Sequence, residues 1–112
     1  MPTPEQTYDE AIALQQDGKL EEAVGRLHEL LEQDPTYALA HAALSVFYGK
    51  LQKHDEAIEH GKKVCELEPA DPFSFVALSL ICQKAGRLGE AETALTQARQ
   101  AQMSAYEGGK SD

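Results

Sequence analysis

Tryptophan is missing from this chain of 112 residues, cysteine occurs twice, and aromatic residues make up 6%. Two cysteines cannot staple a small fold as secreted disulfide scaffolds are stapled, so packing must hold the chain together. Basic charge is scarce: 10 Lys and Arg face 19 Asp and Glu, a net charge of −9. That balance argues against nucleic-acid binding and against attraction to anionic membranes, both of which rest on basic side chains. No apolar run reaches the ~18 residues needed to span a bilayer. The opening Met1-Pro2-Thr3-Pro4 has no basic region leading into an apolar run, so no signal peptide is expected and a cytoplasmic location is.

Chemistry-bearing motifs are missing too. There is no phosphate-cradling glycine motif, no Cys-x-x-Cys and no His-Glu-x-x-His. His54 and His60 stand six apart, whereas two ligands on one helix face want a spacing of about three or four. His41 falls at an internal packing position and His28 on another helix, so no metal site is expected. Ser45 and Ser79 have no histidine and acid placed by sequence to activate them. The expectation is therefore no enzyme, no catalytic residue and no cofactor. Cys65 and Cys82 fall where a helix turns inward and serve as small buried hydrophobes.

What is present is a period. Ala23, Ala57 and Ala91 stand 34 residues apart, each preceded by Glu, and Pro35 and Pro69 share that interval. A fixed interval of this size marks a repeat protein. Each period reads as two helices: residues 5–17, 38–50 and 73–85 form the first of each pair, and 21–33, 55–67 and 89–106 the second. Apolar residues recur at threes and fours, as in Leu20, Ala23, Val24, Leu27, Leu30 and Leu31. Thr3-Pro4 and Asp71-Pro72 place a capping side chain before a proline whose missing N–H costs nothing there. Gly18 and Gly86 sit where a helix should stop and the chain turn back. Proline at 35 and 69 ends one unit and begins the next. Met103 takes that place in the third unit, so the last helix should run on through Tyr106 to Gly108-Gly109.

Two helices per 34 residues, with small and large apolar residues at fixed offsets, resemble the tetratricopeptide repeat. The middle unit carries His41, Leu44, Ser45, Tyr48, Ala57, Gly61 and Pro69 where that family favours Trp, Leu, Gly, Tyr, Ala, Phe and Pro. The third carries Phe75, Leu78, Ser79, Cys82, Ala91 and Leu95; the first, Thr7, Glu10, Ala11, Leu14, Ala23, Leu27 and Pro35. The resemblance implies an all-α fold, a short right-handed solenoid of three stacked helical hairpins. The expected domain covers 4–106, with repeats 4–37, 38–71 and 72–106, and flexible termini at 1–3 and 107–112.

The resemblance also implies a protein-interaction module whose first helices line a concave groove for a peptide or partner helix. By helical phase the groove residues are Tyr8, Asp9, Ile12, Leu39, Ala43, Val46, Lys50, Phe73, Val76, Leu80 and Lys84. Most are apolar, so the expected partner is an apolar or amphipathic protein segment. One subgroup of the family holds the carboxylate end of a heat-shock chaperone through lysines, asparagines and an arginine. The matching positions here are Tyr8, Ile12, Ala43, Phe73 and Val76, and a chaperone-tail adaptor is not expected. The alternative is a homo-oligomeric scaffold, a homo-dimer at its simplest, that self-associates through the apolar groove or through Met103 and Tyr106 on the uncapped last helix. The acids are concentrated at one end: residues 1–37 hold nine against two bases, and residues 72–112 hold four against four.

Overall fold

The computed structural model describes residues 2–110 and contains six helices. They are α1 (Pro4–Gln16), α2 (Leu20–Gln33), α3 (Ala38–Lys50), α4 (His54–Leu67), α5 (Pro72–Lys84) and α6 (Leu88–Lys110). Among the described residues there is no strand. Helices pair in order as hairpins α1/α2, α3/α4 and α5/α6, and the hairpins meet through α2 on α3 and α4 on α5. The outcome is an all-α tetratricopeptide-like solenoid, 44 × 36 × 21 Å in extent.

The helix starts follow from local chemistry. The Thr3 hydroxyl accepts the Gln6 N–H while the Gln6 side chain accepts the Thr3 N–H, a reciprocal pair that satisfies two backbone donors of α1. Asp71 caps α5 by accepting the Phe73 N–H at 3.0 Å. Both prolines then sit in the first turn, where no intrahelical donor is lost.

The turns inside the hairpins are one motif used three times. Lys19 N–H donates to Leu14 O at 2.8 Å, Lys53 to Tyr48 O at 2.9 Å and Arg87 to Cys82 O at 2.8 Å. Each such bond reaches back five residues over a left-handed residue, the Schellman arrangement. The left-handed residues are Gly18 (φ +82°), Gln52 (φ 63°) and Gly86 (φ +77°). Only the middle one has a side chain, and an L side chain in that region is strained. Gln52→Gly is expected to stabilise the fold by roughly 0.5–1 kcal/mol, read as a higher urea midpoint at unchanged slope. A lower midpoint would mean that the Gln52 side chain makes a compensating contact.

Small residues at the hairpin crossings let the backbones approach. Ala11, Ala23, Ala57 and Ala91 are buried, and so are Ser45 and Ser79. The two serine hydroxyls donate to Ala42 O at 2.8 Å and Val76 O at 2.6 Å, so neither enters the core unpaired. Gly61 does similar work between hairpins, since a Cβ there would stand 3.1 Å from Leu78 Cδ1. Apolar side chains gather in two clusters. One holds Leu27, Leu30, Leu44 and Phe47 with alanines of α1, α2 and α3; the other holds Ile58, Cys65, Leu78, Cys82, Ala91 and Ala94.

The expected stop at Gly108-Gly109 does not occur, because α6 continues to Lys110. Each interior glycine costs a helix only about 1 kcal/mol against alanine, and no proline follows to enforce an end. Of the termini expected to be flexible, residues 107–110 therefore lie within α6, while Met1, Ser111 and Asp112 lie outside the described residues.

Candidate interaction face and histidine cluster

Residues four and seven apart on α3 and α5 share a face. That face carries Leu39 and Val46 on α3, and Phe73, Val76 and Leu80 on α5, all exposed, with Phe73 at 77%. Lys50 and Lys84 end the same helices, and neither is in an ion pair among the described residues. Between them lies a cavity of about 280 Å³ lined by Val46, Lys50, Ile81 and Lys84 among others. On α1, Asp9 is exposed, while Tyr8 and Ile12 are half-buried against the first core cluster. Ala43 departs from its expected place: at 8% exposure it belongs to that cluster, because its phase on α3 brings it against its neighbours.

The face is electrically graded. Tyr8 and Tyr37 stack at 6.2 Å beside Glu5, Asp9 and Asp34. Burial first, and then those carboxylates, push the Tyr37 phenol above its usual value. The α1 end is thus negative and the far corner of α3 and α5 positive.

A second constellation lies on the other side of α3, and sequence spacing did not reveal it. His28 from α2, His41 and Tyr48 from α3, and His60 from α4 converge at the junction of the first two hairpins. Tyr48 stacks on His60 with ring centroids 5.7 Å apart and an interplanar angle of 18°. His28 Nε2 meets the Tyr48 hydroxyl at 2.6 Å. His41 Nε2 lies 2.9 Å from Pro35 O and its Nδ1 lies 3.0 Å from His60 Nδ1. A carbonyl can only accept, so His41 Nε2 carries hydrogen and the neutral ring accepts at Nδ1 from His60 Nδ1–H. Burial, then the neighbouring His41 and His28, lower the His60 pKa to about 4. The imidazoles are spent on one another, and among the described residues no group of His, Cys, Asp and Glu is arranged to hold a metal. The expected pairing of His54 with His60 plays no part.

Ion pairs tie adjacent second helices: Lys62 reaches Glu90 at 3.3 Å, and Arg87 pairs with Asp55. Such exposed pairs are worth about 0–1 kcal/mol each and fix register more than stability. Among the described residues no helix is long and apolar enough to cross a membrane.

Comparison with known proteins agrees with this architecture. No curated protein matches the chain in sequence. A MamA crystal structure superposes with a TM-score of 0.83 at 21% identity, covering 94% of this chain and 61% of that one. The second TPR of Spaghetti (RPAP3), bound to the HSP90 peptide SRMEEVD, gives 0.77 at 21% identity, covering 88% and 92%. The Yersinia enterocolitica type III secretion translocator chaperone SycD gives 0.77 at 23% identity, covering 88% and 74%. This chain therefore spans about three fifths of the MamA chain it resembles. A tetratricopeptide repeat family model matches residues 8–74, and with six helices in three hairpins of that form the chain belongs to the tetratricopeptide repeat family.

Proposed function

We propose that this chain is a protein-interaction module, and that the face of α1, α3 and α5 takes an amphipathic segment of a partner protein. The observation that carries this reading is the row of exposed Leu39, Val46, Phe73, Val76 and Leu80 beside two lysines without ion-pair partners. Contiguous exposed apolar surface of this kind marks interaction sites. The segment's apolar side chains lie along the row. An acidic group meets Lys50 and Lys84, and a basic one meets Asp9 and Glu5. Burying three or four such side chains yields roughly 1.5–3 kcal/mol each before association costs. Micromolar affinity, about 8 kcal/mol, is within reach. Three relatives of the same fold support a protein ligand: the Spaghetti domain holds a peptide, CopN and Scc3 form a complex, and SycD is a translocator chaperone. The Spaghetti peptide is a chaperone tail, but here Ile12, Phe73 and Val76 offer no charge to a terminal carboxylate.

Leu80→Glu and Val46→Glu are each expected to lower partner affinity at least about tenfold, measured by quantitative affinity capture with unchanged helical circular dichroism. Capture at full strength by both variants would remove the assignment of this face. A second reading rests on Met103 and Tyr106, exposed on the part of α6 that extends past its packed residues. It makes the chain self-associate, and light scattering would then give a mass above 12.2 kDa that rises with concentration.

A further inference from the structure

The junction between the second and third hairpins contains a cavity of about 730 Å³, within the ordinary size range of small-molecule sites, about 300–1,000 Å³. It is lined by α4, α5 and α6, with Cys65, Phe75, Leu78, Cys82 and Ala94 as its apolar wall. Phe75, Leu78 and Cys82 point away from Phe73, Val76 and Leu80 by half a turn of α5, so this is a different surface from the proposed protein-binding face.

The repeat shows what fills such a space. Moving each lining residue back 34 positions gives the histidine cluster: Lys62 corresponds to His28, Phe75 to His41, Cys82 to Tyr48 and Ala94 to His60. Cys65 corresponds to Leu31. At the first junction a phenol stacked on an imidazole occupies the room between the helices. At the second junction the same positions hold a thiol and a methyl group, and the room stands open.

We propose that this cavity binds a small planar aromatic amine, its ring taking the place that the Tyr48 and His60 rings occupy one repeat earlier. Phe75 and Leu78 supply the apolar wall, and the two thiols supply polarizable contacts suited to a ring. Burial pushes the Cys65 thiol up to about 11 and also raises Cys82, so both stay neutral. At the mouth stand Lys62, Glu66 and Glu90, one cation against two carboxylates, with the Thr93 hydroxyl. Lys62 is held by Glu90 at 3.3 Å and Glu66 by Lys63 at 3.5 Å. Each carboxylate still has acceptor capacity for an ammonium or ring N–H.

The test is a titration of the isotope-labelled chain with tryptamine, followed by amide chemical shifts, with hexylamine as the ringless control. Tryptamine should saturate shifts at Cys65, Phe75, Cys82 and Ala94 with a Kd of roughly 1 mM or tighter, and hexylamine should bind at least about tenfold more weakly. Cys82→Tyr/Ala94→His installs the residues of the first junction and should abolish saturation. If that variant loses its helical spectrum, Cys65→Leu, which only narrows the cavity, should weaken tryptamine by about tenfold instead. The proposal is overturned by unmoved cavity amides, by equal binding of hexylamine, or by undiminished binding in the folded filled variant.

Discussion

Leu44→Ala is expected to destabilise the domain by about 2–5 kcal/mol, the largest effect of any substitution considered. Leu44 is fully buried on the middle hairpin, and its neighbours include Ala11, Ala23, Ala40 and Ala43. Alanines have no side-chain length to collapse into the space, so the loss combines lost transfer energy with an unrelaxed cavity. A domain of this size is stable by only about 5–15 kcal/mol, so urea denaturation should show a large fall in midpoint. Leu78 stands 34 residues later and borders the open cavity. Truncating it removes contacts on one side only, so Leu78→Ala should cost less. Equal losses at the two positions would show that the open junction is as tightly packed as the filled one.

Acid should weaken the first junction through His60. The His60 pKa is about 4 in the folded chain against 6.5 for a free imidazole, so between those values the unfolded chain binds more protons. Stability therefore does not depend on this group above pH 6.5. It falls as pH drops from 6.5 towards 4 and is lost in full below that. The groups facing His60 are His41 and Tyr48 from α3, His28 from α2 and Glu56 on its own helix; of these only the Glu56 carboxylate favours the charged ring. His60 is half exposed, so solvent screening brings the loss to about 2 kcal/mol. His60→Gln keeps a donor for His41 Nδ1 and cannot take up a proton. Urea midpoints measured from pH 7 to pH 4 should diverge between the two proteins, the wild type falling further. Parallel curves would mean that the protonated ring finds a stabilising partner.

The fold was legible because its determinants are local. Thr3-Pro4, Asp71-Pro72, Gly18 and Gly86 act within a few residues of themselves, and the 34-residue interval carries their spacing through the chain. Helical phase also picked out the apolar row, since exposure along α3 and α5 follows directly from it; Ala43 failed because a small residue between two helices can be covered by either. The histidine cluster was not legible. His28, His41 and His60 are 13 and 19 residues apart on three helices, and only the stacking of hairpins brings them together. The signal was present in register: His41 stands where the family favours tryptophan, one and a half turns before Tyr48. Gly61, where the family favours phenylalanine, similarly marks the closer approach of α4 and α5.

The two apolar clusters share no residue. Energetically the molecule is two small cores in series, each built from helices that are neighbours in the chain. Opening one need not open the other, so the cooperative unit of unfolding is smaller than the domain. Amide hydrogens at the two ends then exchange by separate openings, and a partner seated across all three hairpins binds the states in which both cores are closed. For such a molecule, recognition and folding draw on the same free energy.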